Sequence, residues 1–311
     1  MDGSMNIAAL FPGQGAQYEG MGKWLCDNFE LARRTFEQAS DCIGMDVSQI
    51  CLTGGENLIQ TSITQPAVLT VSVAAAKIVM EELGYSFRYG AGHSLGEYSA
   101  LTVAGGLEFS DALKLVRLRG QYMQEAIGDR KGAMCVVHGY DREKLKEIMY
   151  DMKEDDMKVE ISNYNSPYQI VVSGLQEDIE KFTKKMELLH ISTIRLKVTT
   201  PFHCSLMKPA KEKMAEALKD ITIHPLKFPV LSNVTGVPYY NINHIRECLE
   251  EQITRPVEWR KCMQFLYAGE IDAVMDMGPG EVLKNLMRRN FSGIQSLSVE
   301  RDWDTLVGMR R

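Results

Sequence analysis

The residues with the clearest chemical potential lie in a short glycine-rich stretch around position 94. Residues 92–96 read Gly-His-Ser-Leu-Gly, which fits the G-x-S-x-G pattern of a nucleophile elbow, a sharp strand-to-helix turn that exposes a serine hydroxyl above a sheet. Glycines on both sides allow a tight turn that residues with a Cβ atom tolerate poorly. A helix predicted over residues 97–104 would direct its positive N-terminal dipole toward a developing negative charge. The pentapeptide alone is equally compatible with a glycine-rich turn that holds an ordinary serine.

A serine nucleophile needs a base, because its hydroxyl is barely ionised near neutral pH. Of the six histidines, His203 follows Pro201 and Phe202 in a break between a predicted strand and a predicted helix, a usual place for a catalytic loop. His93 adjoins Ser94, but neighbouring side chains on a tight turn point apart, which favours a supporting role for His93. A single histidine is more often an ordinary surface or core residue. The elbow and the loop together favour His203 as the base.

A third candidate is Arg119, which lies in the middle of the helix predicted after the elbow. An arginine on a helix is ordinarily a solvated surface charge. Beside a nucleophile, its planar guanidinium group could instead hold a carboxylate through two parallel hydrogen bonds. The backbone N–H groups of Gln14 and of Leu95, the residue after the serine, could donate to an oxyanion.

Composition restricts the class of protein. The chain has 311 residues, 45% of them hydrophobic and 24% charged, as in globular proteins with a sizeable core. A net charge of −6 without a basic stripe argues against nucleic-acid binding and suits a cytoplasmic enzyme. Seven scattered cysteines without a C-x-x-C pair indicate reduced thiols rather than a disulfide framework or a zinc site. We find no apolar run that approaches the roughly 20 residues needed to cross a bilayer. Residues 1–4 are interpreted as an added remnant ahead of Met5.

Strand and helix signals alternate along most of the chain. Strands are predicted at 7–11, 228–231 and 272–277, and helices at 21–39, 66–83, 111–126, 206–218, 257–267 and 282–289. Pro66 is expected to begin the second of these helices, with Gln65 at or near its cap, and Ser110 to cap the third. The second helix is apolar enough to be buried. The alternation predicts a mainly parallel sheet covered on both faces, with ligands at the carboxyl ends of its strands.

Residues 132–198 follow a different order. Strands are predicted at 132–138, 159–163, 169–173 and 191–198, and helices at 177–189 and from a cap at Asp141 to about Asp155. The order βαββαβ is that of a ferredoxin-like unit. We therefore predict an inserted small subdomain at residues 131–199, inside a large subdomain formed by residues 5–130 and 200–311.

Several motifs in the chain share one resemblance. In order they are Phe-Pro-Gly-Gln-Gly-Ala-Gln (11–17), Thr-Gln-Pro-Ala (64–67), Gly-His-Ser-Leu-Gly-Glu (92–97), Arg-Leu-Arg-Gly (117–120), Asn-Tyr-Asn-Ser-Pro (163–167), Pro-Phe-His (201–203) and Gln-Ile-Thr-Arg-Pro-Val (252–257). Together they resemble the malonyl-CoA:acyl carrier protein transacylase family, including the free-standing acyltransferases that serve polyketide synthases. The resemblance extends from Met5 to about residue 300. The expected fold class is α/β, with an α/β-hydrolase-like large subdomain and the ferredoxin-like insertion.

The resemblance implies a ping-pong reaction. Ser94, activated by His203, would take a malonyl group from malonyl-CoA and pass it to the phosphopantetheine thiol of an acyl carrier protein. Arg119 matches the family arginine that pairs with the malonyl carboxylate. Gln14 and Leu95 match the backbone donors of the oxyanion hole.

Further roles follow from the same resemblance. A backbone carbonyl near the position of Gln252 orients the family's histidine, which fits the lack of an obvious triad acid here. Phe202 matches the bulky aromatic residue of malonyl-selective members, where it leaves little room for an α-methyl group. Those members often carry His-Ala before the Phe, whereas this chain has Thr200-Pro201. Gln65 and His93 are expected to contribute to the substrate pocket.

Two other classes of function compete with this interpretation. A serine thioesterase or hydrolase of the α/β class shares the elbow and the histidine, but it predicts an acid partner for the histidine and transfer of the acyl group to water. A non-catalytic carrier-docking module would not need Ser94, His203 and Arg119 together. As a transacylase, the chain is expected to need no cofactor or metal beyond its CoA thioester and the carrier's phosphopantetheine. It is expected to be a cytoplasmic monomer that binds neither nucleic acid nor membrane, in fatty-acid or polyketide synthesis.

Overall fold

Five parallel strands form the larger of two sheets in the computed structural model, which describes residues 5–152 and 157–309. The strands of this part of the chain are β1 (Ile7–Phe11), β2 (Tyr89–Gly92), β3 (Gly132–His138), β4 (Val159–Ser166), β5 (Gln169–Leu175), β6 (Thr193–Arg195), β7 (Val230–Leu231), β8 (Ala273–Asp276) and β9 (Gln295–Ser298). The α-helices are α1 (Lys23–Asn28), α2 (Glu30–Ile43), α3 (Val47–Thr53), α4 (Thr61–Glu81), α5 (Gly96–Val103), α6 (Phe109–Glu125), α7 (Arg142–Met152), α8 (Gln176–Leu188), α9 (Lys208–Lys219), α10 (Ile242–Glu251), α11 (Trp259–Ala268), α12 (Val282–Asn290) and α13 (Trp303–Met309).

The central strand of the larger sheet is β1, because its sequence Ile-Ala-Ala-Leu-Phe is apolar on both faces. The strand order is β7-β2-β1-β8-β9, and each neighbouring pair is parallel. Alternate residues of β1 enter two different cores, one that contains Ala9 and Phe11 and one that contains Ala8 and Leu10. This double burial is typical of a parallel sheet covered by helices on both faces. The mainly parallel, hydrolase-like sheet predicted from the sequence is confirmed.

The smaller sheet lies within the inserted segment and is antiparallel. Its order is β4-β5-β3-β6, and the chain order β3-α7-β4-β5-α8-β6 is the predicted βαββαβ unit. This sheet has its own core, which includes Val137, Val172 and Phe182. The ferredoxin-like unit is therefore confirmed, whereas the exact boundaries at 130/131 and 199/200 stay a prediction. The expected helix end at Asp155 and the remnant at residues 1–4 lie outside the described residues.

The helix predicted at 21–39 is wrong as one element, because two helices occupy this region. Phe29 separates α1 from α2 with extended backbone angles, φ −131° and ψ 125°. Its ring packs edge-on against Trp24 at 5.6 Å and Trp303 at 5.0 Å, measured between ring centroids. These aromatic contacts pack α1 and Phe29 against α13 and explain the break between α1 and α2, which helical periodicity does not predict.

Helix α4 begins earlier than Pro66, so the predicted cap at Gln65 is also wrong. The helix starts at Thr61 after an extended Gln60, whose carbonyl oxygen accepts from the N–H groups of Ile63 and Thr64. Pro66 lies within the first two turns, where its missing N–H removes one helical bond. Extensive burial of α4 in the core compensates for that loss.

The expectation that no apolar run is long enough to cross a bilayer is corrected by α4. By length and composition alone this helix passes that test, but 83% of its apolar stretch is buried inside the protein. It is the core helix that the sequence predicted at this place.

Other differences concern element ends. Helix α6 begins at Phe109 after Glu108, so Ser110 lies inside the helix and does not cap it. The predicted strands at 191–198 and 228–231 shorten to β6 and β7. Four elements were not predicted, namely α3, α10, β9 and α13.

Candidate active site

The turn between β2 and α5 has the geometry of a nucleophile elbow. Ser94 has a φ of 54°, in the left-handed region that residues other than glycine rarely adopt. A Cβ atom at Gly92 would lie 1.9 Å from the backbone of Gly96, and one at Gly96 would lie 1.9 Å from the carbonyl oxygen of Phe11. Both positions require glycine, because backbone approaches backbone there. Backbone strain of this kind is often stored at functional sites.

Asn233, in the loop after β7, braces the elbow. Its Oδ1 accepts a 2.7 Å hydrogen bond from the backbone N–H of Ser94, and its Nδ2 donates to the carbonyl oxygen of Gly92 at 2.6 Å. The amide side chain therefore satisfies a donor and an acceptor of the tight turn in a fully buried position.

Ser94 and His203 are brought together at the carboxyl edge of the larger sheet. The Oγ of Ser94 lies 2.7 Å from Nε2 of His203, and Nδ1 of His203 lies 2.8 Å from the backbone carbonyl oxygen of Gln252. Because a carbonyl oxygen only accepts, Nδ1 carries the hydrogen and Nε2 presents a lone pair to the serine hydroxyl. Among the described residues, no carboxylate contacts the imidazole. The arrangement can deprotonate Ser94 as a nucleophile.

The pKa of His203 is lowered from its ordinary value to about 3. Burial of the imidazole is the largest cause, and the positive charge of Arg119 adds to it. His203 is only 3% exposed and is therefore neutral at physiological pH. A neutral imidazole is the form that can accept the serine proton.

Arg119 is buried, with 1% of its surface exposed, so the interpretation as a solvated surface charge is wrong. Its Nη2 donates to Ser94 Oγ at 3.0 Å and to Gln252 Oε1 at 2.9 Å, while Nη1 donates to Gln65 Oε1 at 2.9 Å. The guanidinium carbon also lies 5.6 Å from the centre of the Tyr98 ring. A buried cation beside the nucleophile can receive an anionic group.

The side chain of Gln252 connects Arg119 to the buried carboxylate of Glu97. Gln252 Nε2 donates to Glu97 Oε2 and to the carbonyl oxygen of Ser94, the latter at 3.0 Å. Burial raises the pKa of Glu97 to about 7, against the opposing effect of its hydrogen-bond donors. Gln252 therefore contributes its backbone to His203 and its side chain to Arg119.

The two predicted oxyanion donors lie on neighbouring loops. A Cβ atom at Gly13 would lie 2.4 Å from the carbonyl oxygen of His93, so the loop that carries Gln14 passes directly over the elbow. Across the described residues, the backbone N–H groups of Gln14 and Leu95 donate to no protein acceptor. Unused N–H groups beside a nucleophile are suited to hold an oxyanion.

His93 and Phe202 are the chain neighbours of Ser94 and His203. His93 Nε2 lies 2.8 Å from Oδ1 of Asn165 on β4, and its ring packs 5.5 Å from that of Trp259. The ring of Phe202 is nearly buried, with its centroid 6.5 Å from that of His203. His93 thus connects the elbow to Asn165 and Trp259. Phe202 lies directly before His203 in the same loop.

Sequence reasoning did not identify three polar residues of the site, namely Glu97, Asn165 and Asn233. Glu97 and Asn165 lie inside motifs that were recognised, but no local pattern assigns them partners. Asn233 is 139 positions away from Ser94 along the chain. A polar residue directly after the buried strand β7 was the one available signal.

No cluster of three or more potential metal ligands occurs among the described residues. The seven cysteines are unpaired there, and five of them are buried. Burial raises the pKa of Cys204, next to His203, to about 11, so this thiol is a poor nucleophile.

Comparison with known proteins places these features in a family. The model of the acyl transferase domain family matches residues 9–311. A malonyl CoA-acyl carrier protein transacylase of Bacillus subtilis is 41% identical over 285 residues, which cover 91% of this chain and 71% of the relative. The crystal structure of FabD from Acinetobacter baumannii superposes with a TM-score of 0.94 at 37% identity and covers 99% of this chain and 98% of that one.

A second solved structure is a complex named PlMCAT:AntF, a type II PKS acyl-carrier protein with its malonyl-transacylase. It superposes with a TM-score of 0.89 at 37% identity and covers 94% of each chain. The family model spans nearly the whole chain, and the similarity to these proteins is equally extensive. The chain therefore belongs to the acyl transferase domain family.

Proposed function

We propose that this enzyme transfers a malonyl group from malonyl-CoA to the phosphopantetheine thiol of an acyl carrier protein, through a malonyl ester on Ser94. The observation that carries the proposal is the buried guanidinium group of Arg119, 3.0 Å from Ser94 Oγ. An acyl group that ends in a carboxylate would find its counter-charge there, whereas an acetyl group would not. Relatives named as malonyl transacylases support the same substrate.

In the first half-reaction, Ser94 Oγ attacks the thioester carbonyl of malonyl-CoA while His203 Nε2 takes the hydroxyl proton. The backbone N–H groups of Gln14 and Leu95 stabilise the oxyanion of the tetrahedral intermediate. Its collapse breaks the carbon–sulfur bond, and His203 returns the proton to the departing CoA sulfur. The malonyl group is then an ester of Ser94, with its carboxylate on Arg119.

In the second half-reaction, the carrier thiol attacks the ester carbonyl and gives its proton to His203. Breaking the ester bond returns that proton to Ser94 Oγ and leaves malonyl-phosphopantetheine on the carrier. Because the thioester supplies the activated acyl group, neither half-reaction needs a resident cofactor. The proposed partners are malonyl-CoA and the carrier. The monomeric state and cytoplasmic location remain part of the proposal.

Two further side chains have proposed roles in selectivity. Gln65 holds Nη1 of Arg119 at 2.9 Å and so directs the guanidinium plane. The ring of Phe202 lies beside that of His203, where it would exclude an α-methyl group on the acyl chain. Exclusion of one methyl group by a pocket is worth about 1–3 kcal/mol, so methylmalonyl-CoA should be a slow rather than a forbidden substrate.

A hydrolase of the α/β class fits less well. That alternative predicts an acidic partner for the histidine, whereas Nδ1 of His203 donates to a backbone carbonyl oxygen. It also gives no role to a buried arginine beside the serine.

The experiment is competitive loading of Ser94 from an equimolar mixture of malonyl-CoA and acetyl-CoA, followed by intact-mass analysis. We expect malonyl to dominate on the wild type and to move to an added holo-carrier protein rather than to water. In Arg119→Ala the malonyl carboxylate loses its partner, which costs about 2–5 kcal/mol of binding free energy, whereas an acetyl group has no carboxylate and loses none. The preference should therefore invert.

The matched control is Arg117→Ala, which removes an exposed arginine of the same helix that reaches the carbonyl oxygen of Ile43. It should keep the wild-type ratio of malonyl to acetyl. An unchanged ratio in Arg119→Ala would disprove carboxylate recognition by this residue. Rapid release of free malonate without a carrier would favour the hydrolase.

A further inference from the structure

Glu97 is a fully buried carboxylate at the start of α5 whose hydrogen-bond partners in the described residues are all neutral. Its Oε1 accepts from the backbone N–H of Asn233 at 3.0 Å and from the hydroxyl of Tyr239. Its Oε2 accepts from Nε2 of Gln252. Burying a carboxylate without a directly bonded cation costs free energy, so we look to its hydrogen-bond partners for the role that it serves.

The amide of Gln252 lies between this carboxylate and Arg119. Its Nε2 donates to two oxygen atoms, Oε2 of Glu97 and the carbonyl oxygen of Ser94. Its Oε1 faces Nη2 of Arg119, a group that only donates, at 2.9 Å. Only one of the two amide orientations satisfies these three neighbours at once.

We propose that Glu97 is a positioning residue for acyl transfer, which fixes the Gln252 amide so that its oxygen holds Nη2 of Arg119 against Ser94 Oγ. This inference rests on the proposed function. The backbone carbonyl of Gln252 also accepts from Nδ1 of His203 at 2.8 Å. Glu97 therefore acts through one residue on both the carboxylate-binding cation and the base, without touching the acyl group.

Replacing Glu97 by glutamine tests this arrangement with almost no change in shape. The N–H of Asn233 can only donate, so the new carbonyl oxygen would take the place of Oε1 and the new NH₂ would face Gln252. Two donors would then meet. If Gln252 turned its amide to relieve that clash, its own NH₂ would meet Nη2 of Arg119. Either way, Gln252 loses its hydrogen bond to residue 97 or its hydrogen bond to Arg119.

The experiment measures single-turnover loading of Ser94 from malonyl-CoA and from acetyl-CoA separately, on folded protein checked by circular dichroism. In Glu97→Gln we expect malonyl loading to slow at least about tenfold, and the ratio of malonyl to acetyl rates to fall at least about fivefold. The matched control is Asp276→Asn, another fully buried carboxylate, which accepts from the N–H groups of Leu283 and Lys284 rather than from the site. Its rate ratio should equal that of the wild type.

A rate ratio in Glu97→Gln within twofold of the wild type would overturn the inference. An equal loss of both rates would overturn it as well, because the carboxylate would then act on the fold or on His203 alone. If Glu97→Gln does not fold, Glu97→Asp replaces it, which keeps the charge but withdraws it from Gln252. The same fall in ratio supports the role of Glu97, and an unchanged ratio refutes it. Failure of the wild type to accept malonyl would instead disprove the proposed function itself.

Discussion

At the scale of single residues, the site combines a base and a permanent cation around one hydroxyl group. Burial of the imidazole lowers the pKa of His203 most, and the charge of Arg119 lowers it further, to about 3. The imidazole is therefore neutral near physiological pH and can accept a proton, but its imidazolium form is disfavoured. The cation that we propose to bind a carboxylate therefore weakens the base, and the alignment of Ser94 Oγ with Nε2 at 2.7 Å offsets part of this loss.

The first prediction concerns His203. His203→Ala should slow malonyl loading of Ser94 by about 10²–10⁴-fold, the usual contribution of a positioned general base. The rate is measured by quenched-flow intact mass. His224→Ala, which removes a half-exposed histidine near Glu108, is the control and should leave the rate unchanged. Loading by His203→Ala at the wild-type rate would mean that another group deprotonates the serine.

The sequence identifies the residues that we propose to react with the substrate or bind it better than the residues that hold them in place. Ser94, His203 and Arg119 stand out because their types and local surroundings are unusual. Asn233 and Glu97 do not, because their importance arises from partners that only the folded chain brings near. The Nδ1 partner of His203 was expected only from resemblance, since any of many backbone carbonyl groups could serve.

At the scale of elements, the site depends on the close approach of α5 to β1. The loop after β1 and the elbow after β2 begin at the paired ends of two neighbouring strands, where Phe11 lies opposite Gly92. The N–H of His93 donates to the carbonyl oxygen of Phe11 at 2.9 Å. Glycine at position 96 allows the helix to start directly against that strand end.

A second prediction follows for Gly96. In Gly96→Ala the added Cβ would meet the carbonyl oxygen of Phe11 at 1.9 Å, so that α5 must move away from β1. We expect a loss of unfolding free energy of about 3 kcal/mol, as for severe overpacking, together with loss of acyl loading. Urea unfolding measures the first and intact mass the second. Gly308→Ala, which places its Cβ in open space in α13, should be neutral or slightly stabilising.

Element types were predictable where local pattern and packing agree, and element ends were not. The apolar run of α4 predicts a buried helix, but its start depends on hydrogen bonds to Gln60 rather than on Pro66. Helix α10 was missed although Asn241 caps it through a bond from the N–H of His244. Its strongly polar composition obscured the apolar face that contains Ile245 and Leu249.

At the scale of the whole molecule, the small sheet closes one side of the site. Strand β4 meets the segment after Gln252 through two backbone bonds, from Tyr164 N–H to Val257 O and from Val257 N–H to Ser162 O, both 2.9 Å. The same strand contributes Asn165, which contacts His93. Both sides of the catalytic cluster are thus fixed to one edge strand.

A third prediction concerns pH-dependent stability and Asp276, which caps α12. Burial raises the pKa of Asp276 to about 7, against the opposing effect of hydrogen bonds from the backbone N–H groups of Lys284, Gly278 and Leu283. Between the ordinary carboxyl pKa and about 7, the folded state binds more protons than the unfolded state. The stability that this carboxyl group contributes is therefore present in acid and is lost as pH rises through about 7.

The variant Asp276→Asn stays neutral at every pH and can present its oxygen to the same N–H groups. Relative to the wild type, its unfolding free energy should rise by about 1–2 kcal/mol between pH 5.5 and 8. Urea titrations at each pH measure this difference. His203 makes stability rise with pH, because its pKa is lowered on folding, but this contribution is the same in both proteins and cancels from the difference. A difference that does not vary with pH would show that Asp276 titrates normally.

The order of strands in the larger sheet also bears on how the chain acquires its structure during synthesis. The central strand β1 leaves the ribosome before the other described strands, yet one of its two neighbours is β8, and the backbone N–H of Asn6 donates to Asp272 across 266 positions. The strands of the small sheet lie much closer together along the chain, so the entropic cost of bringing them together is lower. We therefore expect the inserted unit to form while the chain is still growing, and the nucleophile to gain its full surroundings only after the last strands emerge.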